Sequence, residues 1–116
     1  MNAARPISGA VLARVADLPD NGAIALDFAR GEQRFSVLLA RRGDAVFAFE
    51  NVCPHARYPL ERPDGRVVVQ QERYLVCSMH GASFEMSSGA CAGGPCNGDG
   101  LTGVAIIVRD GVVLVA

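Results

Sequence analysis

The 116-residue chain has no lysine, and all eleven of its cationic side chains are arginine. A glycine-rich phosphate loop needs a lysine to grip its nucleotide, so that class of site is excluded. Histidine is almost as scarce. Only His55 and His80 are present, and any site built on imidazole must use one or both. No apolar run approaches the roughly 18 residues of a membrane span. The opening stretch MNAARPISGAVLARVADLPD is a poor secretion signal, because its apolar part is interrupted by Ser8 and Gly9 and stopped by Arg14. A net charge of -1 leaves no basic surplus for nucleic acid or anionic membranes. The carboxylates of Asp17, Asp20, Glu32 and Glu50 are scattered, without the pairing that acid–base catalysis uses. These absences predict a soluble, cytoplasmic protein. In a reducing compartment its four cysteines are expected to be ligands or ordinary thiols rather than a disulfide framework.

The length predicts one domain, large enough to bury roughly two-thirds of the unfolded surface without staples. The pattern is strand-like almost throughout. GAIALDFAR alternates, with Ile24, Leu26 and Phe28 on one face and Ala25, Asp27 and Ala29 on the other. QRFSVLLARR, DAVFAFE, GRVVVQ and RYLVC are further candidate strands, separated by turn signals at Gly31, Gly43-Asp44 and Pro63-Asp64-Gly65. GVAIIVRDGVVLVA reads as a hairpin turning at Asp110-Gly111, a pair that tolerates positive backbone angles. VADLPDN predicts one short helical turn. MSSGACAGGPCNGDGLTG is glycine-rich and predicted to be a long loop. Short strands with glycine turns indicate an all-β fold, a small antiparallel sandwich or barrel.

Against this background one pattern stands out. The chain contains C-x-H at Cys53 and His55, then 21 residues, then C-x-x-H at Cys77 and His80. Two histidines placed at random would rarely both fall within three positions of a cysteine. Each pair ends a candidate strand, so two loops can meet at one tip of a sheet. Thiolate and imidazole together suit zinc or an iron–sulfur centre. One reading is a two-iron cluster, with cysteines on one iron and histidines on the other. The other is a single structural zinc. Structural zinc sites usually pair like ligands, whereas this chain alternates them. The single residue between Cys53 and His55 is tight for one metal and comfortable across two. Gly81, after His80, would let backbone approach the centre closely.

The CPH of residues 53–55, Leu60, the C-x-x-H-G of residues 77–81, Phe84 and Gly89 resemble the Rieske iron–sulfur family, and Pro95 is similar to that family's proline loop. The resemblance spans residues 45–116. It implies one Rieske domain over 1–116, with base strands at 1–50 and 86–116 and an inserted cluster-binding subdomain at 51–85. It implies one [2Fe–2S] cluster, with Cys53 and Cys77 on the inner iron. His55 and His80 would hold the outer iron and present their ring edges to solvent, where deprotonation at high pH should couple to oxidation state.

High-potential members of the family carry a disulfide whose cysteines would fall at Tyr58 and Met79, so that bridge is impossible here. They also place a serine and a tyrosine where Ala82 and Phe84 stand. Hydroxyls there stabilise the reduced cluster, and their loss predicts a potential toward the low end of about -150 to +300 mV. The chain therefore resembles bacterial Rieske ferredoxins, which carry electrons to aromatic-ring oxygenases. The implied partners are a flavin-dependent reductase and a terminal oxygenase, and the implied state is a monomer. Catalysis by this chain is not expected, because a mononuclear iron site would need histidines already committed. The alternative is an electron-relay or regulatory subunit of a larger redox enzyme. The chain departs from the ferredoxins in its spacer, with ERPDGRVVVQQ as the insertion, in Met79 and in the glycine-expanded CAGGPCNGDG. Met79 is expected to shield the cluster, and Phe84 to belong to the core. Cys91 and Cys96 are expected to be ordinary thiols of the proline loop, with a labile C-x4-C disulfide or two further metal ligands as the alternatives. Arg57 and Tyr58 sit where a docking partner would touch, either as a solvated arginine and a packed tyrosine or as contacts.

Overall fold

The computed structural model describes residues 2–54, 58–62, 64, 67–78, 81–96 and 98–116. Among them the chain is all-β, with one 3-10 turn at Val15–Asp17, and no helix is long and apolar enough to cross a membrane. Its strands are β1 (Val11–Arg14), β2 (Gly22–Arg30), β3 (Gln33–Arg42), β4 (Ala45–Glu50), β5 (Val68–Gln70), β6 (Tyr74–Val76), β7 (Ser83–Glu85), β8 (Cys91–Gly93), β9 (Ile106–Arg109) and β10 (Val112–Val115). They form three antiparallel sheets ordered β1-β10-β9, β2-β3-β4 and β5-β6-β7-β8.

β3 is the wall between two cores. Val37 and Leu39 point into one, Leu38 and Ala40 into the other, and all four are fully buried. A strand with both faces covered reads as a continuous apolar run, which is how VLLA looks in the sequence. Burial of each large aliphatic side chain here contributes about 1.5–3 kcal/mol. The core on the Val37 side also takes Leu12, Leu18, Ala48, Val104 and Val113, with Ile24, Leu26 and Phe28 of β2 packed against it. The core on the Leu38 side holds Phe49, Leu60, Leu75, Phe84, Met86 and Leu101.

The Asp110-Gly111 turn forms as the sequence predicts, with φ of 52° and 75° at the two central residues and Arg109 paired with Val112. VADLPDN gives the 3-10 turn, and Pro19 follows it. Three strands were not legible: β1, β7 and β8. The glycine-rich stretch expected to be loop contains β8, which pairs with β7 through Phe84 and Cys91. Beyond it, Phe49 bridges Gly103, and the Glu50 and Val104 amides donate to Thr102 and Ala48 carbonyls at 2.8 and 2.9 Å. The chain returning from the glycine-rich stretch thereby covers the open edge of β4, just before that strand releases Cys53.

Candidate metal centre

Cys53 lies three residues beyond β4, and Cys77 immediately follows β6. The two loops they open share one closure. The Cys53 amide donates to the Tyr58 carbonyl at 2.7 Å, and the Cys77 amide donates to the Ala82 carbonyl at 2.8 Å. Each bond joins a cysteine to the residue five ahead, closing the base of its loop like a neck. A second bond, from the Gly81 amide to the Cys77 carbonyl at 3.1 Å, tightens the second turn. Cys53 and Cys77 are buried, outside any disulfide, and packed in one core with Leu60, Leu75, Ala82 and Phe84. The sequence places the other two candidate ligands inside the turns, but His55 and His80 lie outside the described residues, as do Arg57 and Met79.

Two buried thiols in one core, each at the base of a loop closed by the same backbone bond, are suitable soft donors for a metal centre. Ala82 and Phe84 offer no hydroxyl beside Cys77, and both are fully buried. The ion pairs among the described residues lie toward the surface. Arg62 and Asp64 face each other at 3.9 Å on the surface, and Arg73 bonds Glu85 at 2.8 Å across the β6–β7 pair. That hydrogen bond, with the carboxylate's charge, raises the Arg73 guanidinium above its ordinary pKa. A cleft of about 820 Å³ opens beside the first loop, lined among others by Arg5, Asp27, Phe35, Val52 and Glu61. Neither Cys53 nor Cys77 lines it, so the thiols and the cleft are separate features.

The loops are also joined to each other. Ser78 donates its amide to the Leu60 carbonyl at 3.3 Å and its hydroxyl to the Glu61 carbonyl at 3.1 Å. The exit of the first loop therefore rests on the residue after Cys77. Asn51, two residues before Cys53, is buried and fully bonded through its side chain to Ser36, Leu60 and Glu61. Neither Asn51 nor Ser78 stood out in the sequence, because their partners are remote in the chain. Gly81 has φ of +76°, the left-handed backbone that favours glycine. Gly94 packs closely on the same loop, where a Cβ would lie 2.9 Å from both the Gly81 carbonyl oxygen and Ala82 Cα.

Cys91 and Cys96, expected as thiols, form a disulfide. It ties β8 to the segment beside Pro95, and Cys96 sits in the same core as Cys53 and Cys77. β8 runs alongside β7 and the chain turns back at Gly94-Pro95, which brings the two sulfurs together. Tyr58 is 54 % exposed and Val52 40 % exposed, so the tyrosine is not packed. Phe84 is core, as expected.

Residues 9–108 match the family described as the Rieske [2Fe–2S] domain. No curated protein is matched by this chain at a significant level. Among solved structures, the ferredoxin of carbazole 1,9a-dioxygenase from Nocardioides aromaticivorans IC177 is similar, at 24 % identity and a TM-score of 0.74, over 95 % of this chain and 98 % of the other. A ferredoxin–oxygenase complex of carbazole 1,9a-dioxygenase matches at 22 % identity and 0.72, over 92 % of this chain and 91 % of the other. The nitrite reductase [NAD(P)H] small subunit from Erwinia carotovora matches at 20 % identity and 0.55, over 92 % of this chain and 79 % of the other. At these identities the likeness is one of fold.

Proposed function

Because the chain belongs to the Rieske [2Fe–2S] domain family, whose members carry one such cluster, we propose that it is a one-electron carrier running from a flavin-dependent reductase to a terminal oxygenase. In this reading Cys53 and Cys77 hold the inner iron and His55 and His80 the outer one, and the subdomain of residues 51–85 stands on a base of 1–50 and 86–116. The observation that carries it is the pair of matching backbone closures at Cys53 and Cys77, which keep both thiols buried in one core, each with a histidine close by in sequence. When bound, the cluster supplies a one-electron couple. The chain's own part is to keep water from the sulfurs, to fix their separation, and to leave the turn side of the site open to a partner. Exposed Tyr58 and Val52 are suited to that contact. Ala82 and Phe84, without hydroxyls, favour the low end of the potential range. The reading makes the protein a cytoplasmic monomer and an electron-transfer component rather than a catalyst.

The oxygenase direction is supported by the similarity to a ferredoxin solved together with its oxygenase. A second reading, a relay subunit of a larger redox enzyme, is favoured by the likeness to the nitrite reductase small subunit. Purification from the native cell separates them: a freely migrating monomer supports the shuttle, and stoichiometric copurification with one large subunit supports the relay. The cluster itself is tested on protein expressed with ample iron. Two irons, inorganic sulfide and a paramagnetic signal after dithionite are expected, with a midpoint below about +150 mV. Cys53→Ser or Cys77→Ser should each abolish the signal, and a full signal in either variant overturns the ligand assignment.

A further inference from the structure

Asn51 is the one buried polar residue among those described, at 2 % exposure. A side-chain amide has two N–H donors and a carbonyl acceptor, and each left unmade in a core is costly. Here the amide nitrogen donates to Ser36 Oγ at 3.0 Å and to the Glu61 carboxylate, while Oδ1 accepts the Leu60 amide at 2.8 Å. The Asn51 backbone amide also donates to the Ser36 carbonyl at 2.9 Å. One residue thus joins three places: strand β3 behind the site, the entry of the first loop two residues before Cys53, and the exit of that loop at Leu60 and Glu61. The exit is bonded in turn to Ser78, next to Cys77.

We infer that Asn51, acting through Glu61 and Leu60, is the positioning residue that sets the spacing of the Cys53 and Cys77 loops and thereby the lifetime and electronic signature of the cluster. The inference rests on the ligand assignment proposed above. Asn51 touches neither the inner nor the outer iron in this account. Its effect passes through the backbone of the two loops. The geometry also dictates a reversal that only this role explains. Asn51→Asp keeps the shape but removes both donors and sets a second carboxylate against Glu61. Adding Glu61→Gln restores the bond with its direction reversed, since the amide introduced on the loop exit then donates to the carboxylate introduced at its entry. The Ser36 hydroxyl can rotate to donate as well, and the Leu60 amide keeps its acceptor.

The test compares four variants of the full chain loaded with cluster: Asn51→Asp, Glu61→Gln, the double substitution, and Glu61→Ala. The readouts are the rate of cluster release to an iron chelator, the paramagnetic g-values after dithionite, and hydrogen exchange at the Leu60 amide in the cluster-free chain. Asn51→Asp should speed release roughly tenfold, shift the g-values and expose the Leu60 amide. Glu61→Gln alone keeps an acceptor for Asn51 and should behave like the parent. The double substitution should recover release to within about threefold and restore the g-values. Glu61→Ala should weaken the site in the same direction as Asn51→Asp and by less, which keeps the proposal testable if Asn51→Asp does not fold. Parent-like release and g-values in Asn51→Asp overturn the inference, as does a double variant no better than the single. A parent chain without iron or sulfide overturns the proposed function instead, and the Leu60 exchange pattern still decides whether Asn51 holds the loop.

Discussion

The loop from Cys53 to Tyr58 and the loop from Cys77 to Ala82 close with the same backbone bond, yet they are supported in different ways. The second is a hairpin connection. It leaves β6 and returns as β7, and the ladder of Tyr74–Glu85, Leu75–Phe84 and Val76–Ser83 holds its ends together. Gly94 packs on its Gly81 and Ala82 backbone from the side. The first loop leaves β4 and returns to no partner strand among the described residues. The side chain of Asn51, with the bonds from Ser78 to the loop exit, takes the place of the ladder. Backbone pairing tolerates most substitutions at its exposed positions, because any residue but proline supplies the same groups. A side-chain anchor depends on one residue type. The two halves of the site should therefore differ in how they fail, the second through packing and the first through polar bonds.

The largest effect is expected beneath the second loop. Phe84 is fully buried, lies in the β7 ladder and shares the core with both candidate cysteines. Phe84→Ala should lower unfolding free energy by about 3–5 kcal/mol, measured by denaturant titration. Leu60→Ala removes a buried side chain from the exit of the first loop and should cost about 2–5 kcal/mol. The contrast is in amide exchange. Phe84→Ala should loosen β6, β7 and the Cys77 neck together, whereas Leu60→Ala should loosen the Cys53 neck and leave the β6–β7 ladder protected. Equal loosening of both necks in the two variants would remove the distinction between them.

A middle-sized effect belongs to the disulfide, which supports the second loop from outside. Cys91 and Cys96 close a short segment around Gly94 and Pro95, and Cys91 is partly accessible while Cys96 is buried. Replacing both by alanine should lower stability by about 2 kcal/mol on the loop-entropy account. In the parent, alkylation under denaturing conditions should label Cys91 and Cys96 only after a thiol reductant has been added. Labelling without reductant shows that the pair is open, and the second loop then loses one of its supports.

What was legible follows from which forces are local. The Asp110-Gly111 turn and the long β2–β3 hairpin follow from neighbouring residues, and the alternation of Ile24, Leu26 and Phe28 reports one face directly. The two Cys/His pairs were visible from spacing alone, and the family match is consistent with the resemblance drawn from them. β7 and β8 were missed because three residues carry too little alternation to register, and because glycine around β8 argues for loop when no partner strand is in view. The disulfide ranked behind ordinary thiols because a cytoplasmic reading discounts it, while the adjacency that makes it arises only when β8 pairs with β7. Asn51 was missed for a related reason: an asparagine before a loop is ordinary, and its meaning lies in Ser36, 15 residues away, and Leu60, 9 residues away.

The smallest effect bears most directly on whether the two loops form one site or two. Ser78→Ala removes the hydroxyl bond to the Glu61 carbonyl but leaves the amide bond to Leu60. A single neutral hydrogen bond at a partly buried position contributes about 0.5–1.5 kcal/mol, so the loss in unfolding free energy should be no greater. Its coupling is more informative. Asn51 and Ser78 do not bond each other, and they meet only through Leu60 and Glu61. If the first loop's exit transmits strain between them, Ser78→Ala combined with Asn51→Asp should cost less than the sum of the two alone, by at least about 0.5 kcal/mol. The reason is that an exit already released by one substitution has less left to lose to the other. Strict additivity would mean that each loop is held by its own supports, the ladder and disulfide on one side and the asparagine on the other, with Ser78 a contact that carries nothing between them.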